Sequence, residues 1–469
     1  MERARRGPTP TSRTRARLHR SSKEPGNSRR AGRSELSLLL VLFAFALITR
    51  VIYTSFAIDF GSPPIAGDGP DYDNIAYHLT QGEGFVEVWS DETLAPYRGD
   101  PELYAILVDR VGQPPLLGFR PPGYPLFIAA IYSVFGRDFA AVRLVQIIVD
   151  SASVVLLALL GFRWHSRRIG WIAGVLAAVN PLLIYYSRML TAESTSTFML
   201  LVLALLVSSF ERSRRLGLVF AAGIALGALL MLKSAFVLCA PALAAILAWR
   251  HIKEPRFAAI AVLLLTLGSL VLAGPWIVRN EGIYGRYTIS SQGGLAFSQR
   301  NNEVIANTPS CYGSWCPESV AEMIPASASE NEKDELGWEI GLSFVKDHPA
   351  SFAKLSAYRV LRAFNPIPLG LLAGDRFSEE YAAKILGYAW IFPFFVVGFL
   401  LGWRTMPVAR DITIALIGGM VCMLALASSG PRFIVPGIPL LLIWAALSLS
   451  KLPGAIQRRS QAARSTSGE

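Results

Sequence analysis

Three aspartates follow the first long apolar run of the sequence, in the segment AGDGPDYDNIAYHLTQGEGF. Asp68 comes just before Pro70, and a proline at the first helical position with Asp71 in the first turn indicates a helix start. The conservative interpretation is that these aspartates form a turn and balance the dipole of that helix. The functional interpretation is that Asp68 is a general base or a metal ligand where a lipid-borne substrate meets water.

A second acid, Glu193, opens another apolar run, in SRMLTAESTSTF. Compensation of the helix dipole is again its conservative role. Two carboxylates at one membrane face would suit either a shared divalent metal ion or separate roles, one as base and one in positioning the acceptor. Asp68 and Glu193 are therefore the candidate catalytic residues, and Asp68 is the candidate ligand if a divalent metal ion takes part.

Four basic residues are predicted at the same membrane face. They are Arg120, Lys233, Arg279 and Arg432. Each alone is typical of an interfacial side chain whose charge reaches water. Together they would supply the positive charge that a phosphate leaving group requires. We therefore predict that they bind the phosphate of a lipid-linked substrate.

The rest of the chain has to place these residues at a membrane. Its 469 residues are 52% hydrophobic and 17% charged, with a mean hydropathy of +0.40, whereas soluble proteins carry about 25% charged residues. This composition excludes an ordinary soluble domain and predicts an all-α polytopic membrane protein with about 10–11 transmembrane helices. The ten clearest apolar runs are 36–57, 138–161, 170–187, 192–210, 216–232, 234–249, 257–277, 380–403, 411–428 and 433–450.

Basic residues divide the connections into two sides. The net charge of +11 is concentrated in the tails 1–35 and 451–469, which flank a membrane domain over 36–450, and every second loop of that domain is also basic. The positive-inside rule makes both termini cytoplasmic. The long segments 58–137 and 278–379 are then extracytoplasmic loops. Contact of the tails with membrane lipids is predicted, and no binding of nucleic acid.

Two apolar segments in these loops are less regular. The segment 121–136, PPGYPLFIAAIYSVFG, is short and opens with two prolines, which predicts a helix that lies at the outer surface or re-enters the membrane. A full span there would move the basic turn at Arg167 to the outside. In the second loop, helical periodicity is interrupted at Pro349, which predicts two amphipathic juxtamembrane helices.

A polar stripe crosses one predicted span. Arg143, Gln146 and Asp150 share one helix face, which cannot meet lipid without a cost of several kcal/mol. The stripe must face the bundle interior, where it either forms hydrogen bonds between helices or lines a polar cavity.

Four cysteines are too few for a disulfide scaffold. Cys311 and Cys316 lie in the second loop, in CYGSWC. On an oxidising side of the membrane they would pair in a local disulfide, and two free thiols are the alternative.

Several segments give the sequence a resemblance to a known family. They are GDGPDYDNIAYHLTQGEGF, RPPGYPLFIAAIYSVFG, NPLLIYYSRMLTAES and GPWIVRNEGIYGRYTISSQGG, with PRFIVPGIPLLLIWAAL as a weaker fifth. In this order and spacing, over residues 36–450, the chain resembles the bacterial members of the GT-C superfamily. These are polyprenyl-phosphate-sugar glycosyltransferases and include protein O-mannosyltransferases and the aminoarabinose transferases of lipid A. The resemblance implies a GT-C-like domain in the cytoplasmic (inner) membrane with an extracytoplasmic active site.

The resemblance also implies roles for individual residues. The catalytic or metal-associated acid of the family, four residues before a tyrosine, matches Asp68 with Tyr72. A glycine replaces the usual acidic neighbour of that acid, unless Asp71 takes its place. The basic residue before two prolines, associated with the donor phosphate, matches Arg120, and the acid after the YYS turn matches Glu193.

A glycosyltransferase is therefore the predicted function. It would transfer a hexosyl or pentosyl group from a polyprenyl-phosphate carrier to a glycan, lipid or protein acceptor of the envelope. The sequence contains no Walker loop or Rossmann turn, which argues against a cytosolic nucleotide as sugar donor. The alternative is a transporter or flippase of lipid-linked saccharide, but such a protein usually has its polar groups near the bilayer midplane rather than at one face.

Overall fold

The computed structural model describes residues 25–65, 67–308, 311–312, 316–325, 327–364, 377–388, 390–427 and 431–466. The chain divides into two compact units, Met1–Val41 and Leu42–Glu469. Regular structure in the described residues is helical, and a single β-bridge joins Glu87 to Leu116 there. The predicted all-α class is confirmed.

Twenty α-helices and four short 3₁₀ helices make up the described part of the chain. The α-helices are α1 Pro25–Ala57, α2 Gly69–Thr80, α3 Asp91–Leu94, α4 Pro101–Val108, α5 Gly123–Phe135, α6 Phe139–Trp164, α7 Arg167–Ala178, α8 Pro181–Arg188, α9 Glu193–Ser213, α10 Leu216–Leu232, α11 Cys239–Arg250, α12 Pro255–Tyr284, α13 Gly293–Ser298, α14 Glu303–Asn307, α15 Glu330–Asp347, α16 Pro349–Phe364, α17 Glu379–Tyr388, α18 Ile391–Gly402, α19 Pro407–Ala427 and α20 Ile438–Thr466. The 3₁₀ helices are Ala95–Gly99, Ser234–Phe236, Pro317–Val320 and Pro431–Gly437.

Seven helical stretches of the described chain are long and apolar enough to cross a membrane. They are Ser34–Ala57, Phe139–Trp164, Glu193–Ser213, Pro255–Tyr284, Glu379–Gly402, Pro407–Ala427 and Arg432–Leu452. The pair α7 and α8, bent by 54°, would form an eighth span, and Gly123–Phe135, Leu216–Leu232 and Ser234–Arg250 are shorter apolar helices. All ten predicted runs are thus helical, although two of them are shorter than a typical span. The ambiguous segment 121–136 supplies the remaining short helix.

The break between α7 and α8 is stabilised by polar groups inside the bundle. The Asn180 side chain caps α8 by accepting hydrogen bonds from two backbone amides, and Pro181 occupies the first helical position. Arg50 lies 2.5 Å from Asp150 and donates a hydrogen bond of 3.2 Å to the carbonyl of Ala178, the last residue of α7. A buried ion pair thus satisfies a carbonyl group that the broken helix leaves free.

The rest of the polar stripe on α6 also joins helices. Gln146 accepts a hydrogen bond of 2.5 Å from Tyr124 and donates to the carbonyl groups of Ser187 and Met189. Arg143 donates to the carbonyls at the end of α8 and in the segment after α1. Of the two interpretations from sequence, the contacts favour hydrogen bonding between helices.

The first loop has its own polar core around Asp73. This carboxylate is fully buried, lies 2.5 Å from Arg137, and accepts hydrogen bonds of 2.7 Å from both Tyr97 and Tyr132. Nothing in the local sequence around Asp73 reveals this burial. Its role in the structure is to fasten α2 to α5 and to the Ala95–Gly99 turn.

The second loop contains the two predicted helices that meet at Pro349. Ser329 and Glu332 form a capping box at the start of α15, and Pro349 begins α16, where its missing N–H costs nothing. The structure joins Cys311 to Cys316 in a disulfide with Cα atoms 5.5 Å apart. This disulfide lies in an apolar cluster between α14, α15 and α16.

Candidate active site

Asp68 stands at the N-cap position of α2, but its side chain does not cap the helix. One carboxylate oxygen lies 3.0 Å from Arg120 Nη1, and the other accepts a hydrogen bond of 2.7 Å from Arg432 Nη2. Burial alone would raise the pKa of Asp68, but the positive charges of Arg120, Arg432 and Lys233 outweigh it and hold that pKa well below its usual range. The side chain is therefore ionised at neutral pH, and these contacts oppose the turn-forming interpretation.

Arg120 bridges two carboxylates with different nitrogens. Its Nε and Nη2 donate hydrogen bonds of 3.0 and 2.6 Å to Asp71, while Nη1 faces Asp68. Asp71 is buried and also accepts a hydrogen bond of 2.8 Å from Arg110. Asp71 thus holds Arg120 in place. Asp68 lies between Arg120 and Arg432, with one carboxylate oxygen near each guanidinium.

The segment that carries Arg120 is fixed by the second loop. Glu330, the first residue of α15, accepts hydrogen bonds of 2.8 and 3.3 Å from the backbone amides of Leu117 and Gly118. Ser290 Oγ donates a hydrogen bond of 2.7 Å to the carbonyl of Phe119. The second loop therefore contacts the first loop at the backbone just before Arg120.

Glu193 pairs with Lys233 at a distance of 2.5 Å, with both side chains buried. Arg432 Nε lies 3.9 Å from the same carboxylate, so Arg432 stands between Asp68 and Glu193. Lys233 also lies over the ring of Phe433 at 4.4 Å. Helix α9 begins here and α10 ends here, so these groups gather at one end of the bundle.

The ionic groups brought together are Asp68, Asp71, Glu193, Arg120, Lys233 and Arg432, here named the charged cluster. Tyr72, one residue after Asp71, is buried, and its ring makes an edge-to-face contact with Tyr124, with ring centroids 5.0 Å apart. Burial and the nearby Asp68 raise the pKa of Tyr72 well above its usual range, so the phenol stays protonated.

Two glycines permit the close approach of the elements in the cluster. Gly67 has a φ of +61°, and a Cβ there would lie 2.6 Å from Arg432 Nη1. A Cβ on Gly123, at the start of α5, would lie 2.7 Å from the backbone carbonyl carbon of Met231. The backbone after Arg120 therefore packs directly on the backbone before Lys233.

A cavity of about 660 Å³ is lined by chain neighbours of Arg120 and Lys233, although the six residues of the charged cluster do not themselves line it. Its walls come from α5, α6, α9, α10 and α12 and are almost entirely apolar, with Pro122, Leu126, Leu232, Leu272 and Trp276 among the lining residues. Arg279 also lines this cavity, with its guanidinium 4.4 Å from the Trp276 ring centroid. Of the four predicted phosphate-binding cations, Arg279 is therefore the one that lies at the cavity rather than in the charged cluster.

A metal ion does not fit the arrangement around Asp68. Both of its oxygens face guanidinium groups, and no group of three or more His, Cys, Asp or Glu side chains in the described part of the chain is placed to hold a metal ion.

Two residues near the cluster carry no signal in the sequence. Glu87 is buried and shares Arg110 with Asp71, at 3.1 Å. Burial and the charge of Asp71 raise the pKa of Glu87 to about 7, although Arg110 lowers it. Neither Glu87 nor Arg110 stands in a recognisable motif, and only the folded loop shows that Arg110 pairs with both Asp71 and Glu87.

Comparisons with known proteins bear on this fold and this cluster. A family model described as dolichyl-phosphate-mannose-protein mannosyltransferase matches residues 119–278, about a third of the chain. This match begins one residue before Arg120 and includes Glu193, Lys233 and the residues that line the cavity, except Arg279. None of the curated proteins matches the sequence significantly.

Solved structures of an archaeal enzyme have a fold similar to that of this chain. The archaeal oligosaccharyltransferase AglB from Archaeoglobus fulgidus, in complex with an inhibitory peptide and a dolichol-phosphate, matches with a TM-score of 0.52 and 15% identity, over 90% of this chain and 51% of that chain. The Archaeoglobus fulgidus enzyme in complex with Zn and sulfate matches with a TM-score of 0.52 and 13% identity, over 90% and 50%. This chain thus spans about half the length of the archaeal enzyme.

A bacterial structure matches more weakly. ArnT from Cupriavidus metallidurans bound to undecaprenyl phosphate has a TM-score of 0.39 and 12% identity, over 88% of this chain and 76% of that chain. The family model and the archaeal fold confirm the resemblance to GT-C proteins. The fold and composition define a multi-pass membrane protein with a GT-C-like domain.

Proposed function

We propose that this protein is a membrane glycosyltransferase that takes a sugar from a polyprenyl-phosphate carrier. The observation that carries the proposal is the apolar cavity of about 660 Å³, which has Arg279 on its wall and lies next to the chain segments that carry Arg120 and Lys233. An isoprenoid tail needs an apolar cavity, and the phosphate at its end needs positive charge. The acceptor is a hydroxyl group on a glycan, lipid or protein of the cell envelope.

The backbone links the two halves of this donor site. Pro122 and Gly123, which line the cavity, follow Arg120 almost directly, and Leu232, which also lines it, precedes Lys233. On this basis we propose that Arg120 and Lys233 lie at the polar end of a lipid in the cavity. Arg279, on the cavity wall, supplies a further positive charge to the phosphate.

Asp68 receives the acceptor in this mechanism. Its low pKa makes it a weak base, so it first orients the acceptor hydroxyl through a hydrogen bond and takes the proton as the new bond forms. The acceptor oxygen bonds to the anomeric carbon of the sugar while the bond from that carbon to the phosphate oxygen breaks. Arg120, Lys233 and Arg432 stabilise the charge that develops on the departing phosphate.

The archaeal relative supports the choice of donor. Its structure holds a dolichol-phosphate, a polyprenyl-type carrier. Another structure of that enzyme holds Zn and sulfate, but Asp68 here is paired with Arg120 and Arg432, and no step of the proposed mechanism passes through a metal ion.

We further propose that the charged cluster is extracytoplasmic, with both termini in the cytoplasm and the protein in the inner membrane. The basic connections of the sequence support this orientation because they lie at the opposite ends of the helices that bear the cluster. The cluster then meets carriers and acceptors on the outer face of the membrane.

Release of free polyprenyl phosphate tests the proposal. Purified protein in nanodiscs is mixed with a radiolabelled lipid-sugar extract and an envelope extract, and the lipid product is separated by chromatography. We expect free polyprenyl phosphate and labelled acceptor to appear together. Movement of intact lipid-sugar across a vesicle membrane without its cleavage would instead establish the transporter alternative.

A further inference from the structure

Gln292, in the second loop, contacts the charged cluster directly. Its side-chain oxygen Oε1 accepts a hydrogen bond of 3.3 Å from Arg120 Nη1, the same nitrogen that lies 3.0 Å from Asp68 Oδ1. The amide of Gln292 and the carboxylate of Asp68 are therefore within two hydrogen-bond lengths of each other. The mechanism proposed above leaves Gln292 without a role.

The contact with Arg120 fixes which end of the Gln292 amide is free. A guanidinium only donates hydrogen bonds, so the amide oxygen must face Arg120, and the amide nitrogen Nε2 faces away from it. None of the hydrogen bonds formed within the described part of the chain uses Nε2. The side chain is half-buried, and Nε2 is not among the fully buried atoms. This donor is therefore accessible to a ligand.

The backbone on both sides of Gln292 is held by other elements. Before it, the amide of Ser291 donates a hydrogen bond of 2.9 Å to the carbonyl of Gly118, in the first loop. After it, the amide of Gly294 donates a hydrogen bond of 2.6 Å to Asp334 Oδ1, on α15. A Cβ on Gly294 would lie 2.0 Å from the backbone oxygen of Asp334, so this close approach requires the glycine. Such preorganisation lowers the entropic cost of binding a ligand.

The free amide group carries no charge, which favours an uncharged oxygen as its partner. In the proposed site, the donor phosphate has the cations Arg120, Lys233 and Arg279 to bind it, and hydrogen bonds from charged donors are stronger than those from an amide. Hydroxyl groups of the substrates accept hydrogen bonds from neutral donors. During transfer, the anomeric carbon lies between the phosphate oxygen and the acceptor oxygen. Hydroxyl-bearing groups must therefore occupy the space beside Arg120 and Asp68, where the amide of Gln292 also lies.

We infer that Gln292 determines specificity by donating a hydrogen bond from Nε2 to a hydroxyl oxygen of the substrate bound beside Asp68. This inference rests on the proposed function and adds a specificity-determining residue to it. The hydroxyl belongs to the transferred sugar or to the acceptor, and separate measurements distinguish these two sources. A substrate without that hydroxyl leaves the amide unpaired and binds more weakly.

Three measurements on the purified full-length protein in nanodiscs test the inference. Binding of undecaprenyl phosphate, which has no sugar, reports the phosphate and the tail alone. Binding of a radiolabelled lipid-sugar extract, from cells that lack the gene and without acceptor, adds the contribution of the sugar. The amount of envelope extract needed for half-maximal transfer reports the acceptor. Each measurement compares the wild type with Gln292→Met, which removes the amide and keeps the length of the side chain.

We expect Gln292→Met to bind undecaprenyl phosphate like the wild type, because Asp71 still holds Arg120 with hydrogen bonds of 3.0 and 2.6 Å. If the hydroxyl belongs to the sugar, about 10-fold more lipid-sugar is needed for half-saturation, equivalent to about 1.4 kcal/mol. If it belongs to the acceptor, about 10-fold more envelope extract is needed for half-maximal transfer. Gln113→Met, which replaces an exposed glutamine of the first loop, leaves all three measurements unchanged.

Three results would overturn the inference. Wild-type values for Gln292→Met in all three measurements remove the specificity role while glycosyl transfer stands. Weaker binding of undecaprenyl phosphate by Gln292→Met shows instead that Gln292 acts on the phosphate through Arg120. Failure of the wild-type protein both to bind undecaprenyl phosphate and to cleave the lipid-sugar overturns the proposed function and this inference together.

Discussion

Asp68 is the residue on which the proposed chemistry depends most directly. Because asparagine is nearly isosteric, Asp68→Asn should leave the protein folded, but it removes the charge that orients the acceptor and takes its proton. Loss of a general base typically costs about 100-fold to 10,000-fold in rate. We expect that loss in polyprenyl phosphate release, measured at equal amounts of folded protein.

The matched control for this variant is Asp59→Asn. Asp59 is exposed nine residues earlier, and its carboxylate accepts a hydrogen bond of 3.1 Å from the amide of Gly61, which the asparagine oxygen preserves. Asp73→Asn would be unsuitable as a control because Asp73 is buried in an ion pair with Arg137. Near-normal turnover by Asp68→Asn would reduce Asp68 to a structural residue.

Arg120 should not tolerate replacement by lysine. Arg120→Lys keeps the positive charge, but a single ammonium group cannot contact Asp68 and Asp71 in the way that three guanidinium nitrogens do. We expect undecaprenyl phosphate to bind about 10-fold more weakly. Equilibrium binding to nanodiscs measures this, with Arg98→Lys as the exposed control. Full affinity in Arg120→Lys would show that only net charge matters.

Glu87 should make stability depend on pH. Its pKa in the folded protein, about 7, exceeds its usual value of 4.5, so the folded state binds this proton more tightly than the unfolded state. The stabilisation is fully present below about pH 4.5 and is lost as the pH rises through about 7. We expect Tm to fall between pH 5 and pH 8 and the fall to be smaller in Glu87→Gln. Identical pH profiles for the two proteins would contradict this assignment.

The sequence identifies individual residues of the candidate site better than it identifies the residues that they contact. Asp68 and Arg120 are predictable because each stands beside prolines that mark a helix start. The ion pair between Asp68 and Arg432 is not, because the two residues are 364 positions apart and no local pattern connects them.

At the scale of elements, the contact of α5 with α10 sets the distance between Arg120 and Lys233. Gly123→Ala would place a methyl group 2.7 Å from the backbone of Met231, which cannot rotate away. Overpacking of this kind typically costs about 1–3 kcal/mol. We expect a lower Tm and weaker undecaprenyl phosphate binding, because the two helices must separate.

The control for Gly123→Ala lies in the same pair of helices. Gly217, near the start of α10, has no atom within 4 Å of the position that its Cβ would occupy. Gly217→Ala should leave activity unchanged and raise stability slightly, because alanine favours the helix. If both variants behave alike, the close approach of α5 and α10 is not what organises the donor site.

Helix boundaries follow from the sequence where proline or a cap marks them. The interruption at Pro349 is predicted because proline lacks the amide that a helix interior uses, and α16 begins there. The break before Pro181 is hidden because the apolar run 170–187 continues through it. The structure shows how the break is stabilised. Arg50 pairs with Asp150 of another helix and donates a hydrogen bond to the carbonyl of Ala178 at the end of α7.

At the scale of the whole molecule, the orientation in the membrane can be tested by labelling. In a protein with Cys239 and Cys422 replaced by serine, Asn307→Cys introduces an exposed thiol in the second loop. We expect a membrane-impermeant maleimide to label it in intact cells. Lys253→Cys, exposed between α11 and α12, should react only after permeabilisation. The reverse pattern would invert the topology and remove the extracytoplasmic site.

The pairing of Asp68 with Arg432 also has a consequence for biosynthesis. A membrane protein is synthesised from its N-terminus, so Asp68 and the helices around the cavity are made long before Arg432, 364 residues later. Until the last apolar helix is inserted, Asp68 lacks one of its two guanidinium partners. The nascent chain can thus enclose the lipid cavity before its charged cluster is complete. The charged cluster is therefore completed only when the last apolar helix is in place.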